Sequence, residues 1–292
     1  NLAVSLRAVI DRRPEDSGAY SDLFSLCREW ETEDFSAAHR LNKELLTLSA
    51  DQVVRGGGAK FYEQWRRCLL FEAPHDFDSF MTYIELDRKP EKRFYAPRKH
   101  YLRPMVQGFQ DVLDGKLRLL TISMPKRAGK SQTGINFVNM ISGKFPDRST
   151  LMEGTGDDLV KSFYNGCLEY LTVPNEYLFY DVFPDARLVQ TNADTSRFPT
   201  IMCRSIDARQ VGLSEATNVL YLDDCVEGRE EAKNRQRLDD KWEVISGDIM
   251  GRAIEGTPMV FTGTRYSLYD PIGRVQEHAD TRSRSRDGRE QL

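Results

Sequence analysis

The stretch Thr121-Ile122-Ser123-Met124-Pro125-Lys126-Arg127-Ala128-Gly129-Lys130-Ser131-Gln132 decides how this chain is read. Residues 117–122 form a short apolar run of strand type, and 130–141 an amphipathic helix, so Gly129-Lys130-Ser131 opens a helix directly after a strand and a loop. Backbone N–H groups at such a helix start point at anions, and the helix dipole favours negative charge there. Gly129 lets a phosphate approach the backbone. Lys130 is expected to reach the β- and γ-phosphates of ATP, and the Ser131 hydroxyl to hold Mg2+. Pro125, Lys126, Arg127, Ala128 and Gln132 complete the stretch expected to wrap the nucleotide. The first glycine of the usual pattern is absent, with Met124 in its place. Gly-Lys-Ser alone occurs by chance in about one chain in ten of this length, so its context carries the reading.

Outward from the loop, strand-like runs at 149–153, 200–204, 218–222 and 259–262 alternate with helical segments. Residues 157–171 are helical in pattern, and Leu238, Trp242, Ile245 and Ile249 mark one face of another helix. This alternation predicts an α/β fold of the P-loop NTPase type, with a mostly parallel central sheet flanked by helices. Residues 1–70 read as a helical region, with Tyr20, Leu23, Phe24, Cys27, Trp30, Leu41, Leu45 and Leu48 at helical spacing. Within it Arg55-Gly56-Gly57-Gly58-Ala59 reads as a joint, because no strand precedes the glycines and no Gly-Lys-Ser follows. The ATPase domain is expected over 71–280. The Arg-rich stretch 281–292 is either an unstructured end or a DNA contact.

Composition narrows the class. At 292 residues the chain is long enough to bury a core, and no run approaches the ~20 apolar residues that span a bilayer. Residues 1–7 lack the apolar core of a secretory signal, and the missing initiator Met suggests a trimmed start. Five scattered cysteines without a C-x-x-C pair, and only four histidines, argue against structural zinc and for reduced thiols. A net charge of −4 argues against a surface that binds DNA all round, though not against a local basic face.

A nucleotide site of this kind needs an acid at a strand end to order Mg2+ and another to activate water. Asn218-Val219-Leu220-Tyr221-Leu222-Asp223-Asp224 fits, with Asp223 for the metal and Asp224 for the water. The plain alternative is a solvated turn or a helix cap. Val260-Phe261-Thr262-Gly263-Thr264-Arg265-Tyr266 ends a strand in small polar residues and an arginine. It is either a γ-phosphate sensor or an ordinary strand exit. Residues 88–103 are basic with interleaved aromatics. Tyr95 or Arg98 could stack on adenine with Gln107 or Gln110 reading its edge; a solvated basic helix face and a DNA contact are the other readings.

Five blocks in order resemble the large terminase subunits of tailed bacteriophages. Met124–Ser131 resembles the family's deviant phosphate loop, and Glu153-Gly154-Thr155-Gly156-Asp157-Asp158-Leu159 its second strand and turn. Tyr180-Asp181-Val182-Phe183-Pro184-Asp185 resembles a further segment, residues 222–232 the acidic strand end with its next helix, and Gly263-Thr264-Arg265-Tyr266 the coupling motif. The resemblance covers roughly residues 90–280. It implies an ATP-driven motor that threads double-stranded DNA into a procapsid. The expected partners are the portal protein, the small terminase subunit and further copies of the chain in a ring, a pentamer by family habit. The expected place is the cytoplasm of an infected bacterial host, docked transiently on the procapsid, with no membrane association. It further implies Asp224 as base with Glu227 as the alternative, Arg127 as charge stabiliser in its own site or a neighbour's, and Arg265 as coupler of hydrolysis to movement. The family's catalytic Glu is replaced here by Asp224, and its glycine-rich loop is reduced to Gln210-Val211-Gly212-Leu213. No room is expected for the family's nuclease domain. A helicase-like ATPase and a nucleotide-gated scaffold without turnover are the competing functions.

Overall fold

The computed structural model describes residues 2–172, 176–186, 200–208 and 215–287. The chain divides into two compact units, Asn1–Arg98 and Lys99–Leu292.

The first unit is helical: α1 (Leu2–Arg12), α2 (Ser17–Trp30), α3 (Phe35–Val54), α4 (Ala59–Glu72) and α5 (Phe77–Tyr83). Three helix starts carry an aspartate whose carboxylate accepts first-turn N–H groups: Asp16, Asp34 and Asp76. Such caps satisfy donors that a helix cannot pair internally. The apolar faces meet in a core of Ile10, Tyr20, Leu23, Leu45, Phe61 and Cys68, with Phe24, Trp30, Leu41 and Leu48 half-buried around it. The triple glycine forms the joint between α3 and α4, as its sequence suggested.

This unit reaches well past residue 70, the expected boundary. The reason is Glu85, a carboxylate only 2% exposed. It accepts N–H groups from Phe94 (2.8 Å), Tyr95 (2.9 Å) and Ala96 (3.4 Å), and so ties the 94–96 strap to the helices. Burial raises the Glu85 pKa, and the three N–H groups oppose that rise. Replacing Glu85 by Ala orphans the buried Tyr95 N–H, a loss of about 1–3 kcal/mol, and frees two part-buried donors to water. Glu85→Ala is therefore expected to unfold at clearly lower urea than wild type, and Glu85→Gln at an intermediate concentration; equal midpoints for all three would refute the tie.

The second unit is α/β. It runs α6 (Lys99–Leu113), β1 (Leu119–Ser123), α7 (Lys130–Lys144), β2 (Thr150–Gly154), α8 (Asp157–Leu171), α9 (Glu176–Val182), β3 (Ile201–Ser205), β4 (Val219–Asp223), α10 (Arg229–Lys233), α11 (Arg235–Glu243), β5 (Met259–Gly263) and α12 (Pro271–Asp287). The five strands are all parallel, in the order β1-β5-β4-β2-β3. Parallel sheets bury both faces, and every residue of β2 and β4 is buried accordingly. Along β4, Leu220 and Leu222 pack with Phe261, Ile245 and Ile249. Tyr221 lies in an aromatic group with Phe109, Phe137 and Phe163. Asp223, two residues on, shares the Tyr221 face by strand alternation.

Two elements differ in form from expectation. After α11 the chain continues as a π-helical turn, Val244–Ile249, which keeps Ile245 and Ile249 buried. The backbone of 281–287 continues α12, where an unstructured end was one expectation; no glycine or proline after Gly273 interrupts that helix. Among the described residues no helix is long and apolar enough to cross a membrane.

Candidate functional site

Parallel strands place all their carboxyl ends on one edge, and ligands of open α/β sheets bind outside that edge. Register aligns Ser123 of β1 with Gly263 of β5, and Thr262 of β5 with Asp223 of β4. The loop after β1 therefore begins beside the exits of β5 and β4. The Met124 N–H donates to the Gly263 carbonyl at 3.1 Å, which fixes the start of the loop. The Ala128 N–H closes a turn on the Pro125 carbonyl at 3.3 Å. Gly129 then enters α7 at φ +95°, a left-handed conformation that glycine adopts freely, and no side chain caps the first turn. The start of α7 thus presents backbone donors without a side-chain acceptor.

Only two non-glycine residues with positive φ occur among the described residues: Arg127 (φ +65°) in this loop and Asp224 (φ +39°) after β4. Both lie at the same sheet edge. Such strain costs energy and tends to collect at functional sites.

Lys130 was expected to face a ligand. Its side chain instead folds over its own loop and is only 4% exposed. The ammonium donates to the carbonyls of Met124 (3.1 Å) and Pro125 (3.3 Å) and to Thr264 Oγ1 (3.1 Å). A buried ammonium needs acceptors, and these oxygens supply them. Thr264 donates its own hydroxyl to the Met124 carbonyl at 3.1 Å, and its N–H to Asp224 Oδ1 at 3.1 Å. The Asp224 N–H in turn donates to the Thr262 carbonyl at 2.9 Å. One network therefore joins the loop, the β5 exit and the second acid.

Asp223 is fully buried. Its Oδ1 accepts the Thr262 hydroxyl at 2.6 Å, and its Oδ2 has no hydrogen-bond partner. Burial pushes its pKa up, while the Ser131 and Thr262 hydroxyls and the Lys130 charge pull it down. A buried carboxylate with one uncommitted oxygen beside a hydroxyl suits Mg2+, which keeps several waters and takes few protein ligands. Among the described residues no group of three or more His, Cys, Asp or Glu gathers as a metal cage.

No family model and no curated protein matches this chain significantly.

The remaining expected residues fall in varied places. Lys126 and Arg127 are exposed on the loop, and the Lys126 ammonium lies 5.7 Å from the centre of the Tyr266 ring. Gln132 donates to the Tyr170 hydroxyl on α8 at 3.3 Å, away from the loop. Arg265 turns from the site toward the start of α12: its guanidinium donates to Asp270 (3.0 Å) and Gln276 (3.1 Å). Glu227 is exposed and lines a cavity of about 640 Å3 with Asp207, Glu231 and Lys241. Tyr95 is buried in the helical unit with its hydroxyl on Asp78, and Arg98 stacks 5.1 Å over Phe94. Gln107 is exposed on α6 and donates to Asp111 at 3.1 Å, and Gln110 donates to Asp114 at 2.8 Å. Tyr95, Arg98, Gln107 and Gln110 are thus each engaged locally. The reduced glycine stretch 210–213 lies outside the described residues.

Thr262 and Thr264 belong to the 260–266 stretch read as a possible γ-phosphate sensor, and two residues to which the sequence reading gave no role, Tyr221 and Gly134, complete the site. A lone polar ring in an apolar strand was the available signal for Tyr221, and a glycine one turn after Lys130 the signal for Gly134. A Cβ at Gly134 would meet the Tyr221 hydroxyl at 2.0 Å, so the glycine makes room for it. Gly134→Ala is expected to destabilise the fold by about 1–3 kcal/mol through overpacking, despite alanine's better helix propensity. Adding Tyr221→Phe should recover part of that loss in urea unfolding. A Gly134→Ala protein at least as stable as wild type would refute the close fit.

Proposed function

We propose that this chain is a P-loop ATPase, and specifically the motor domain of a viral DNA-packaging machine of the large-terminase type. One observation carries the nucleotide reading: Lys130, Thr264 and Asp224 form a single hydrogen-bonded network, with Ser131 and the buried, half-uncommitted Asp223 beside it, at the uncapped start of α7.

The first-turn N–H groups of α7 bind phosphate oxygens, and Lys130 leaves its loop carbonyls for the β- and γ-phosphates. Ser131 and Asp223 would hold Mg2+, which when bound would supply positive charge against the phosphates. Asp224, fixed through Oδ1 by the Thr264 N–H, takes the proton of the attacking water. Arg127 stabilises charge in its own site or in that of a neighbouring copy. When Lys130 moves, Thr264 loses a hydrogen-bond partner. Arg265, the next residue, passes that change to Asp270, just before α12, and to Gln276 on it. In this reading the partners are double-stranded DNA, the portal protein, the small terminase subunit and further copies in a ring.

Phosphate release measured with and without double-stranded DNA tests the reading. The expected activity is slow, rises with protein concentration as copies assemble, and increases with DNA. Forked DNA should stay paired; ATP-dependent strand separation would favour a helicase instead. One observation favours a third reading, a scaffold gated by nucleotide: Asp224 is shorter than glutamate and already holds Thr264. Tight ATP binding with no phosphate release would select it.

A further inference from the structure

The hydroxyls of Tyr221 and Thr262 lie 3.1 Å apart, and that of Thr262 lies 2.6 Å from Asp223 Oδ1. All three residues are fully buried. The best use of the Thr262 proton is the charge-assisted bond to the carboxylate. The Tyr221 hydroxyl must then donate to Thr262 Oγ1, because it is buried and has no closer acceptor. The chain of donation is therefore directional, from Tyr221 to Thr262 to Asp223. It occupies Oδ1 and leaves Oδ2 uncommitted. The alternative acceptor for Thr262, the Leu222 carbonyl, lies farther off at 3.4 Å.

We infer that Thr262, oriented by Tyr221, is a positioning residue that turns the Asp223 carboxylate so that its second oxygen is available to a divalent cation. This rests on the nucleotide reading above and deepens it: cation use depends on a β5 hydroxyl that touches neither nucleotide nor metal. Gly134 belongs to the device, since only a residue without a Cβ leaves space for the Tyr221 hydroxyl.

The test is equilibrium binding of a fluorescent N-methylanthraniloyl-ATP, titrated with Mg2+ and repeated in EDTA. Thr262→Val removes the hydroxyl and keeps the strand-favouring shape. It is expected to raise the Mg2+ concentration for half-maximal effect about tenfold, the loss typical of a hydrogen bond to a charged group, while binding in EDTA stays unchanged. Thr262→Ser restores the hydroxyl and should return close to wild type. Tyr221→Phe should shift the Mg2+ requirement about threefold, as one neutral hydrogen bond would, and it serves as the test should the valine variant not fold. An unchanged Mg2+ requirement in Thr262→Val overturns the inference. So does a parallel loss of binding in EDTA, which would make the residue merely structural. A wild-type protein that binds the analogue in neither condition overturns the nucleotide reading itself, and this inference with it.

Discussion

Replacing Lys130 by Ala is expected to abolish ATP hydrolysis by this chain while its fold survives. The ammonium holds two loop carbonyls and the Thr264 hydroxyl, and its removal leaves them to water or to one another. None of these partners belongs to the apolar core around Leu220 and Phe261, so the sheet should remain. Loss of one preorganised donor at developing charge typically costs about 10²–10³ in turnover, and weaker phosphate binding adds to that. Lys130→Arg should also fail, because a planar guanidinium does not reproduce a compact ammonium. Circular dichroism and phosphate release check both halves. Hydrolysis near the wild-type rate in a folded Lys130→Ala protein would remove the basis of the functional reading.

Asp224→Asn is the second large effect. The amide oxygen of Asn can still accept the Thr264 N–H, and Asn tolerates the left-handed backbone found here at φ +39°. The substitution therefore removes charge and basicity with little disturbance of the loop. Turnover is expected to fall by about 10²-fold or more, the usual contribution of a general base, with ATP binding retained. Glu227→Gln should do less, since Glu227 is exposed and belongs to a different cavity. Single-turnover hydrolysis beside equilibrium binding separates the two effects. The reverse order would move the role to Glu227.

Much of the α/β unit was legible because periodicity is a local signal. Residues 157–171 read as a helix and form α8 over Asp157–Leu171. The strand expected at 218–222 is Val219–Asp223, and that at 259–262 is Met259–Gly263, shifted by a residue at one or both ends. Strand ends drift because they depend on the partner strand. Leu117, expected to open β1, is exposed, and pairing begins at Leu119 against Met259. The order of strands, with β5 between β1 and β4, is a long-range fact that no local pattern carries. The extent of the helical unit was missed for the same reason, since Glu85 ties to residues about ten positions on through backbone N–H groups that any sequence possesses. At the site, the stretch from Pro125 to Ser131 and the acids 223–224 stood out by residue type. The stretch 260–266 stood out as a whole, but not which partners the Thr262 and Thr264 hydroxyls take, because threonine is ordinary in strands. Their roles arise only from the parallel register that sets β5 beside both other strands.

The most direct test of the central claim is a structure of this chain with a non-hydrolysable ATP analogue and Mg2+. The account predicts the triphosphate on the first-turn N–H groups of α7, Lys130 drawn from Met124, Pro125 and Thr264 onto the phosphates, and the cation beside Ser131 and Asp223. An analogue bound elsewhere, or Lys130 still closed on its own loop with the nucleotide present, would contradict it.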